Sequence, residues 1–238
     1  MTKAIILAAG RGSRMKKLTI ESPKCLLKVR GKTLLQHQVD SLNNAGLFDV
    51  GIVTGYKSNS LPINDMTEFH NVNWESTQMV ESLMCADSWL RESECLVSYS
   101  DIFYESNAVK LLLNCHDDIA ITYDIDWFAN WSRRFDNPCE DAESLKIDSF
   151  GFLREIGRSI ESAKQADGQF MGLLKFTPNG WRILKGVYLG LNEDDRSKIH
   201  LTALLDKVVA SEACKVKAVP FSGVWGEIDS PRDLEVFS

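Results

Sequence analysis

The sequence predicts an α/β fold: a mostly parallel sheet with helices on both faces. Three observations carry this expectation. Apolar, strand-like runs alternate with amphipathic helical stretches through the first half of the chain. The first run, residues 3–9 (KAIILAA), is apolar on both faces, as a central parallel strand must be. That run ends abruptly in a glycine-rich turn followed by cations.

Each element follows in order. Residues 33–46 read as a helix, with Leu34, Leu35, Val39 and Leu42 on one face and Gly46 as its stop. Residues 49–56 (DVGIVTGY) read as the next strand. Residues 76–90 read as a continuous helix capped by Ser76, with Met79, Leu83, Ala86 and Leu90 on one stripe. Residues 94–101 and 118–124 read as strands, with a helix near 105–114 between them. After Asp124 the alternation breaks. Residues 125–148 are aromatic, charged and weakly periodic, and read as a loop or insertion. Residues 151–157 and 169–178 read as later strands, Thr177-Pro178 as a helix start, and residues 215–221 as the last strand. Residues 230–237 read as a final helix with Ser230 as cap, Pro231 in the first turn and Asp233 at the third position. No repeat or Pro/Gly-rich linker interrupts the chain, so residues 1–238 are expected to form a single domain carrying an insertion around 125–148.

Composition narrows the function classes. The formal net charge of −6 argues against a general nucleic-acid binder. No apolar run approaches the ~20 residues of a membrane-spanning helix, and the short N-terminal apolar stretch reads as a strand rather than a signal peptide. The six cysteines are scattered without a C-x-x-C pair, which fits a reduced, cytoplasmic protein. The four histidines are equally dispersed and suggest no zinc site. Charge is unevenly spread: residues 1–32 hold nine Lys/Arg and one acid, Glu21. A local cationic segment in an acidic chain suits a small polyanion.

The turn after the first strand decides which polyanion. A dinucleotide fingerprint would need a third glycine where Met15 stands. A Walker A loop ending in Gly31-Lys32-Thr33 would need a glycine where Leu26 stands. The remaining reading takes residues 7–15 (LAAGRGSRM) together with residues 22–24 (SPK). Gly10 and Gly12 let backbone N–H groups approach a triphosphate. Arg14 can fork onto phosphate oxygens, and Lys24, stiffened by Pro23, can place a point charge near an α-phosphorus. This is the logic of attack at an α-phosphate with pyrophosphate leaving.

That pattern, GRGSRM followed by SPK, resembles the signature of the sugar-phosphate nucleotidyltransferase superfamily, most of all its phosphocholine and phosphonate cytidylyltransferases. The resemblance implies a Rossmann-like three-layer sandwich with a mostly parallel mixed sheet. It implies Arg14 and Lys24 as catalytic residues. It also implies nucleotide contacts from Leu7, Ala8, Ala9, Gly10, Arg11, Gly12, Ser13, Gly55, Gln78, Ser82 and Ser100. Superfamily members carry metal aspartates at the places of Asp101 and Asp229, so these two would share Mg2+, with Glu227 as an auxiliary ligand. The family often has Gly-Asp at the first of these sites, where this chain has Ser100-Asp101. Residues 73–83 resemble the segment that reads the base in phosphocholine-type enzymes, with Gln78 in place of an asparagine. This favours CTP over UTP.

Residues 126–143, rich in aromatic and charged groups, resemble the acceptor segment of the same enzymes. Trp127 and Trp131 with Asp126, Asp141 and Glu143 offer aromatic faces and carboxylates for a cationic head, and Arg133 and Arg134 can hold an acceptor phosphate or phosphonate. The same cluster also reads as a packing anchor. Trp74 and Trp225 are further pocket candidates, whereas Trp89 and Trp181 sit in helical patterns and read as packing. The expected reaction joins CTP to a small phosphorylated alcohol, phosphocholine first, with pyrophosphate released and no general base needed. A phosphonate such as 2-aminoethylphosphonate, a sugar 1-phosphate, and a silent nucleotide-binding module remain alternatives. A homodimer remains open, and no nucleic-acid or membrane partner is expected.

Overall fold

The computed structural model describes residues 1–63 and 65–238. Its centre is a seven-stranded sheet. In chain order the elements are β1 (Lys3–Leu7), β2 (Lys28–Val29), β3 (Lys32–Thr33), α1 (Leu34–Asn44), β4 (Val50–Thr54), β5 (Thr67–His70), α2 (Met79–Met84) and α3 (Asp87–Glu92). Then come β6 (Cys95–Tyr99), β7 (Ile102–Tyr104), α4 (Ser106–Leu113), β8 (Ile119–Asp124), α5 (Trp127–Arg134), β9 (Glu143–Ile147) and β10 (Leu153–Ser159). The chain continues through β11 (Gln169–Phe176), α6 (Pro178–Leu189), α7 (Glu193–Lys198), α8 (Leu201–Ala210), β12 (Val216–Phe221), β13 (Trp225–Glu227) and α9 (Pro231–Phe237).

The sheet order is β12-β8-β11-β6-β1-β4-β5. All pairings are parallel except those of β11, which runs antiparallel to both β6 and β8. The expected mostly parallel mixed sheet is therefore present. Because β11 is reversed, its amino end lies at the same edge as the carboxyl ends of β1, β4, β6 and β8. In open α/β sheets that edge holds the ligand crevice.

Side chains on β1 alternate between two cores. Ala4, Ile6 and Ala8 face the layer holding Leu35, Leu42 and Leu112. Ile5, Leu7 and Ala9 face the layer holding Val80, Leu83, Leu184 and Leu204. A third, smaller cluster joins Met15, Val29, Leu34, Phe103, Ile228 and Phe237. Met15 is fully buried there and pins the glycine-rich loop to the C-terminal helix.

Most expected elements are present within a residue or two of their predicted ends. The first helix has its capping box between Thr33 and Gln36, and the last has its own between Ser230 and Asp233. Two expectations are corrected. The helix over 76–90 is broken between α2 and α3, and Gln78, not Ser76, precedes it. The hydroxyl of Ser76 donates to the Asn73 carbonyl in the preceding turn instead. The break has a tertiary cause: Asp87 is drawn to α6, accepting from Trp181 Nε1 at 2.8 Å and Lys185 Nζ at 2.7 Å. The stripe survives the break, with Leu83, Ala86 and Leu90 fully buried. The stretch 125–148 is not a loop throughout: it holds α5 and β9, and β9 pairs antiparallel with β10. No helix among the described residues is long and apolar enough to cross a membrane.

Candidate active site

The turn after β1 places its residues in contact with Lys24. Gly12 adopts φ +67°, and a Cβ there would lie 2.7 Å from Lys24 Cδ. Glycine is thus required twice: for the left-handed backbone and for the lysine stem that crosses it. A Cβ on Gly10, by contrast, would meet nothing within 4 Å, so this glycine opens onto free space. The Lys24 ammonium is buried, 2.8 Å from Asp101 Oδ2 and 2.5 Å from Asp229 Oδ1. Burial alone would lower its pKa, but the charges of Asp101 and Asp229 overcome that and hold it raised.

These partners stand 77 and 205 positions from Lys24 in the chain. A short antiparallel ribbon, β7 with β13, brings the two aspartates together: Glu227 pairs with Ile102, and Ile228 N donates to the Asp101 carbonyl at 2.9 Å. From beneath, the buried Gln38 amide donates to the carbonyls of Tyr99 and Ile102 and so brackets the turn carrying Asp101. Asp101 therefore lies in a turn after β6 rather than on the strand. On the other side, Asp233 accepts from Asp229 N and Ser230 N, which fixes the start of α9.

Asp101, Glu227 and Asp229 each offer an oxygen within 4.8 Å of the others. Asp101 Oδ1 is buried without a hydrogen-bond partner. Burial and the neighbouring charges of Asp229 and Asp101 push the Glu227 carboxyl well above the usual range. Burial also opposes ionisation of Asp229, but Lys24 and Arg14 win and hold its pKa low. The Arg14 guanidinium is mostly exposed and lies 3.0 Å from Asp229.

Two cavities open at this point. One, of about 340 Å³, is bordered by Leu7, Ala9, Gly10, Gly12, Ser13, Arg14, Lys24, Gln78, Ser82 and Ser100, all expected to meet a nucleotide or its phosphates. Trp74, Thr77, Met79, Asp101 and His200 complete it. Ser82 is held by Asn71, whose amide donates to it at 3.0 Å. Ala8 points into the core instead, and Arg11 lies over the Tyr56 ring. Gly55 borders the cavity only indirectly: a Cβ there would strike Trp74 and the Ala9 carbonyl.

The second cavity, of about 320 Å³, is bordered by Trp131, Asp141, Glu143, Gln169, Thr202 and Trp225, among others. Burial raises the carboxyl of Asp141, which accepts from Trp131 Nε1 at 3.2 Å. Trp131 is only 4% exposed, between Trp127 and Trp225, so it is an anchor with one edge on the cavity. Four expected acceptor residues border neither cavity. Asp126 accepts from Ser222. Trp127 is buried. Arg133 donates to the Val236 carbonyl at 3.2 Å and lies over Phe237. Arg134 is buried and binds Asp233 at 2.8 Å and Glu227 at 3.4 Å. Arg134 thus ties α5 to the carboxylate cluster instead of reaching a ligand. Both arginines fall in the last turn of α5, whose helical phase turns them toward α9; sequence reasoning, taking the stretch as a loop, had no phase to use. Trp89 and Trp181 pack, as expected, against Phe69 and Phe176.

Arg14, Met79, Asp101 and His200 border both cavities. Sequence reasoning did not single out His200, Gln169 or Gln38, whereas Asp141, one of the carboxylates read in the acceptor segment, does border the cavity. The three missed residues lie on three separate segments, and only the chain path unites them.

Residues 4–141 match the MobA-like NTP transferase domain. The chain belongs to that family. Over 249 residues this NTP transferase is 32% identical to the CTP:phosphoglutamine cytidylyltransferase of Campylobacter jejuni, covering 98% of each. Over 54 residues it is 44% identical to the choline-phosphate cytidylyltransferase of Streptococcus pneumoniae, covering 23% of this chain and 24% of the relative. In structure it resembles the inositol-1-phosphate CTP transferase of T. maritima, with a TM-score of 0.75 at 22% identity, covering 100% of this chain and 95% of that one. The transferase fold is therefore the Rossmann-like type that the loop pattern implied.

Proposed function

We propose that this transferase moves a cytidylyl group from CTP to a small phosphorylated acceptor with a positively charged head, releasing pyrophosphate. The observation that carries the reading is the meeting of two cavities at Arg14 and Asp101, directly beside the carboxylate cluster. A nucleotide in one and an acceptor in the other would meet only there. The CTP preference draws support from relatives named for CTP.

Asp101 and Asp229, with Glu227, would hold Mg2+. The fit rests on an all-oxygen donor set and on the partnerless buried oxygen of Asp101. An ion bound there supplies Lewis-acid neutralisation of phosphate charge. The rest of the work falls to the chain. Backbone N–H groups around Gly10 and Gly12 cradle the triphosphate, and Arg14 holds its outer oxygens. Lys24 offsets charge that develops as an anionic acceptor oxygen attacks the α-phosphorus. The new bond is phosphorus to acceptor oxygen, and the bond that breaks is the α–β bridge. The acceptor oxygen is already anionic, so no side chain takes a proton and no covalent enzyme intermediate forms.

Asp141 and Glu143 beside Trp131 and Trp225 support a cationic head, for which phosphocholine is the first choice. A second acceptor is favoured by Gln169, Ser144 and Thr202, which border the same cavity. They can bond to a polar head such as that of phosphoglutamine, the compound for which the Campylobacter jejuni relative is named. The test is pyrophosphate release with Mg2+, crossing CTP, UTP, ATP, GTP and dTTP against an acceptor panel. The panel holds phosphocholine, phosphoethanolamine, phosphoglutamine, 2-aminoethylphosphonate and glucose 1-phosphate. A CTP-dependent signal with a cationic acceptor is expected. A signal confined to glucose 1-phosphate, or silence throughout, would overturn the reading.

A further inference from the structure

The acceptor cavity has a charge problem. Beyond Asp101, Glu227 and Asp229, which would hold Mg2+, it is bordered by the carboxylates of Asp141 and Glu143. A phosphate monoester carries roughly 1.5–2 negative charges near neutral pH. It must also approach a triphosphate, so like charges meet at close range in a concave, partly desolvated site. Among the described residues, only two side chains bordering this cavity can carry positive charge: Arg14 and His200. Arg14 is engaged with Asp229 at 3.0 Å. Lys24, the other nearby cation, borders only the nucleotide cavity and is held by Asp101 and Asp229.

Among the described residues, His200 is held in no ion pair, although its charge acts on Glu143 across the cavity. It borders both cavities, at the seam where acceptor and nucleotide phosphates would face each other. It stands immediately before α8 but makes no capping hydrogen bond to that helix, and it is exposed. Leu201 and Thr202, next in the chain, border the acceptor cavity alone, which orients this corner toward the acceptor. An imidazole here can donate a ring N–H to a phosphate oxygen and, as imidazolium, supply the missing positive charge.

We propose that His200 binds the phosphate of the acceptor and holds it against the nucleotide's α-phosphate. The inference rests on the cytidylyl-transfer reading above. It also fixes polarity: the acceptor's anionic end sits at the seam and its head points toward Asp141 and Glu143.

The test is steady-state kinetics of the full chain with Mg2+, CTP and phosphocholine or phosphoglutamine, comparing wild type with His200→Ala, His200→Gln and His200→Arg. Truncation to alanine is expected to raise the acceptor KM about tenfold or more, equivalent to about 1.4 kcal/mol, while the CTP KM stays within about twofold. Arginine is expected to restore the acceptor KM to within about threefold of wild type, because it retains both charge and donor. Glutamine should fall between. Because the side chain is exposed and caps nothing, the melting temperature of all variants should match wild type. An unchanged acceptor KM in His200→Ala, a parallel rise in both KM values, or restoration by glutamine but not arginine would overturn the proposal. In those cases the cytidylyl-transfer reading would stand. Wild-type silence with every acceptor in the panel would instead overturn that reading, and the role of His200 with it.

Discussion

On the side proposed for the nucleotide, Leu7, Ala9, Gly10, Gly12, Ser13 and Arg14 follow one another from the end of β1 into the turn after it. On the acceptor side, Trp131, Asp141, Glu143, Gln169, His200 and Trp225 come from widely separated segments. The first wall is a local device. Its spacing is dictated by backbone geometry around a triphosphate, so it is written as a contiguous pattern. The second wall draws on α5, the start of β9, the amino end of the reversed β11, the residue before α8 and β13. Under the proposed reading, a contiguous motif carries the phosphate contacts, while the acceptor contacts are encoded in chain path.

This contrast can be broken at its seam. Asp101→Asn and Asp229→Asn should each lower kcat by about 10²–10³-fold, the scale seen when one group stabilising transition-state charge is removed. Circular dichroism should still show a folded protein. Near-normal turnover at saturating Mg2+ would mean that the two halves do not share the cluster.

A substitution behind the acceptor wall probes stability rather than ligand contact. Arg134→Met strands the buried Asp233 and frees Glu227, and should cost about 3–5 kcal/mol, read by denaturant unfolding. A large rise in acceptor KM without loss of stability would return Arg134 to the ligand-binding role that the sequence suggested.

The nucleotide wall is sharpened by its two glycines. Gly12→Ala should destabilise by about 1–3 kcal/mol, because it combines left-handed strain with a clash on the Lys24 stem. Gly10→Ala should fold like wild type and act only on CTP affinity, since its Cβ meets nothing. Calorimetric CTP titration paired with thermal melts separates them; equal melting temperatures would show that the Lys24 stem can give way.

The smallest effect is expected from Trp131→Phe. It keeps an aromatic anchor but removes the N–H bond to Asp141, costing about 0.5–1.5 kcal/mol. The acceptor KM should rise a few-fold with the CTP KM unchanged. Equal changes in both would reduce Trp131 to packing alone.

The amino-acid sequence by itself determined six of the seven strands of the sheet, all but the edge strand β5, and most of its helices. Apolar runs of strand length and capping signals at Thr177 and Ser230 are short-range physics that a linear reading can use. It also determined the phosphate loop, Lys24 and the two aspartates as candidates. Three things only the tertiary structure decided. The helix over 76–90 is broken because Asp87 finds partners on α6, far away in the chain. Arg133 and Arg134 turn away from the cavity because α5 is helical and packs on α9. Gln169 joins the site because the reversed β11 brings it beside the Glu143 backbone, and His200 joins it because the chain returns to the cavity just before α8. Capping and amphipathic periodicity act within a turn or two of chain, whereas which charged side chains share a cavity is settled by packing between distant segments, and no local pattern encodes it.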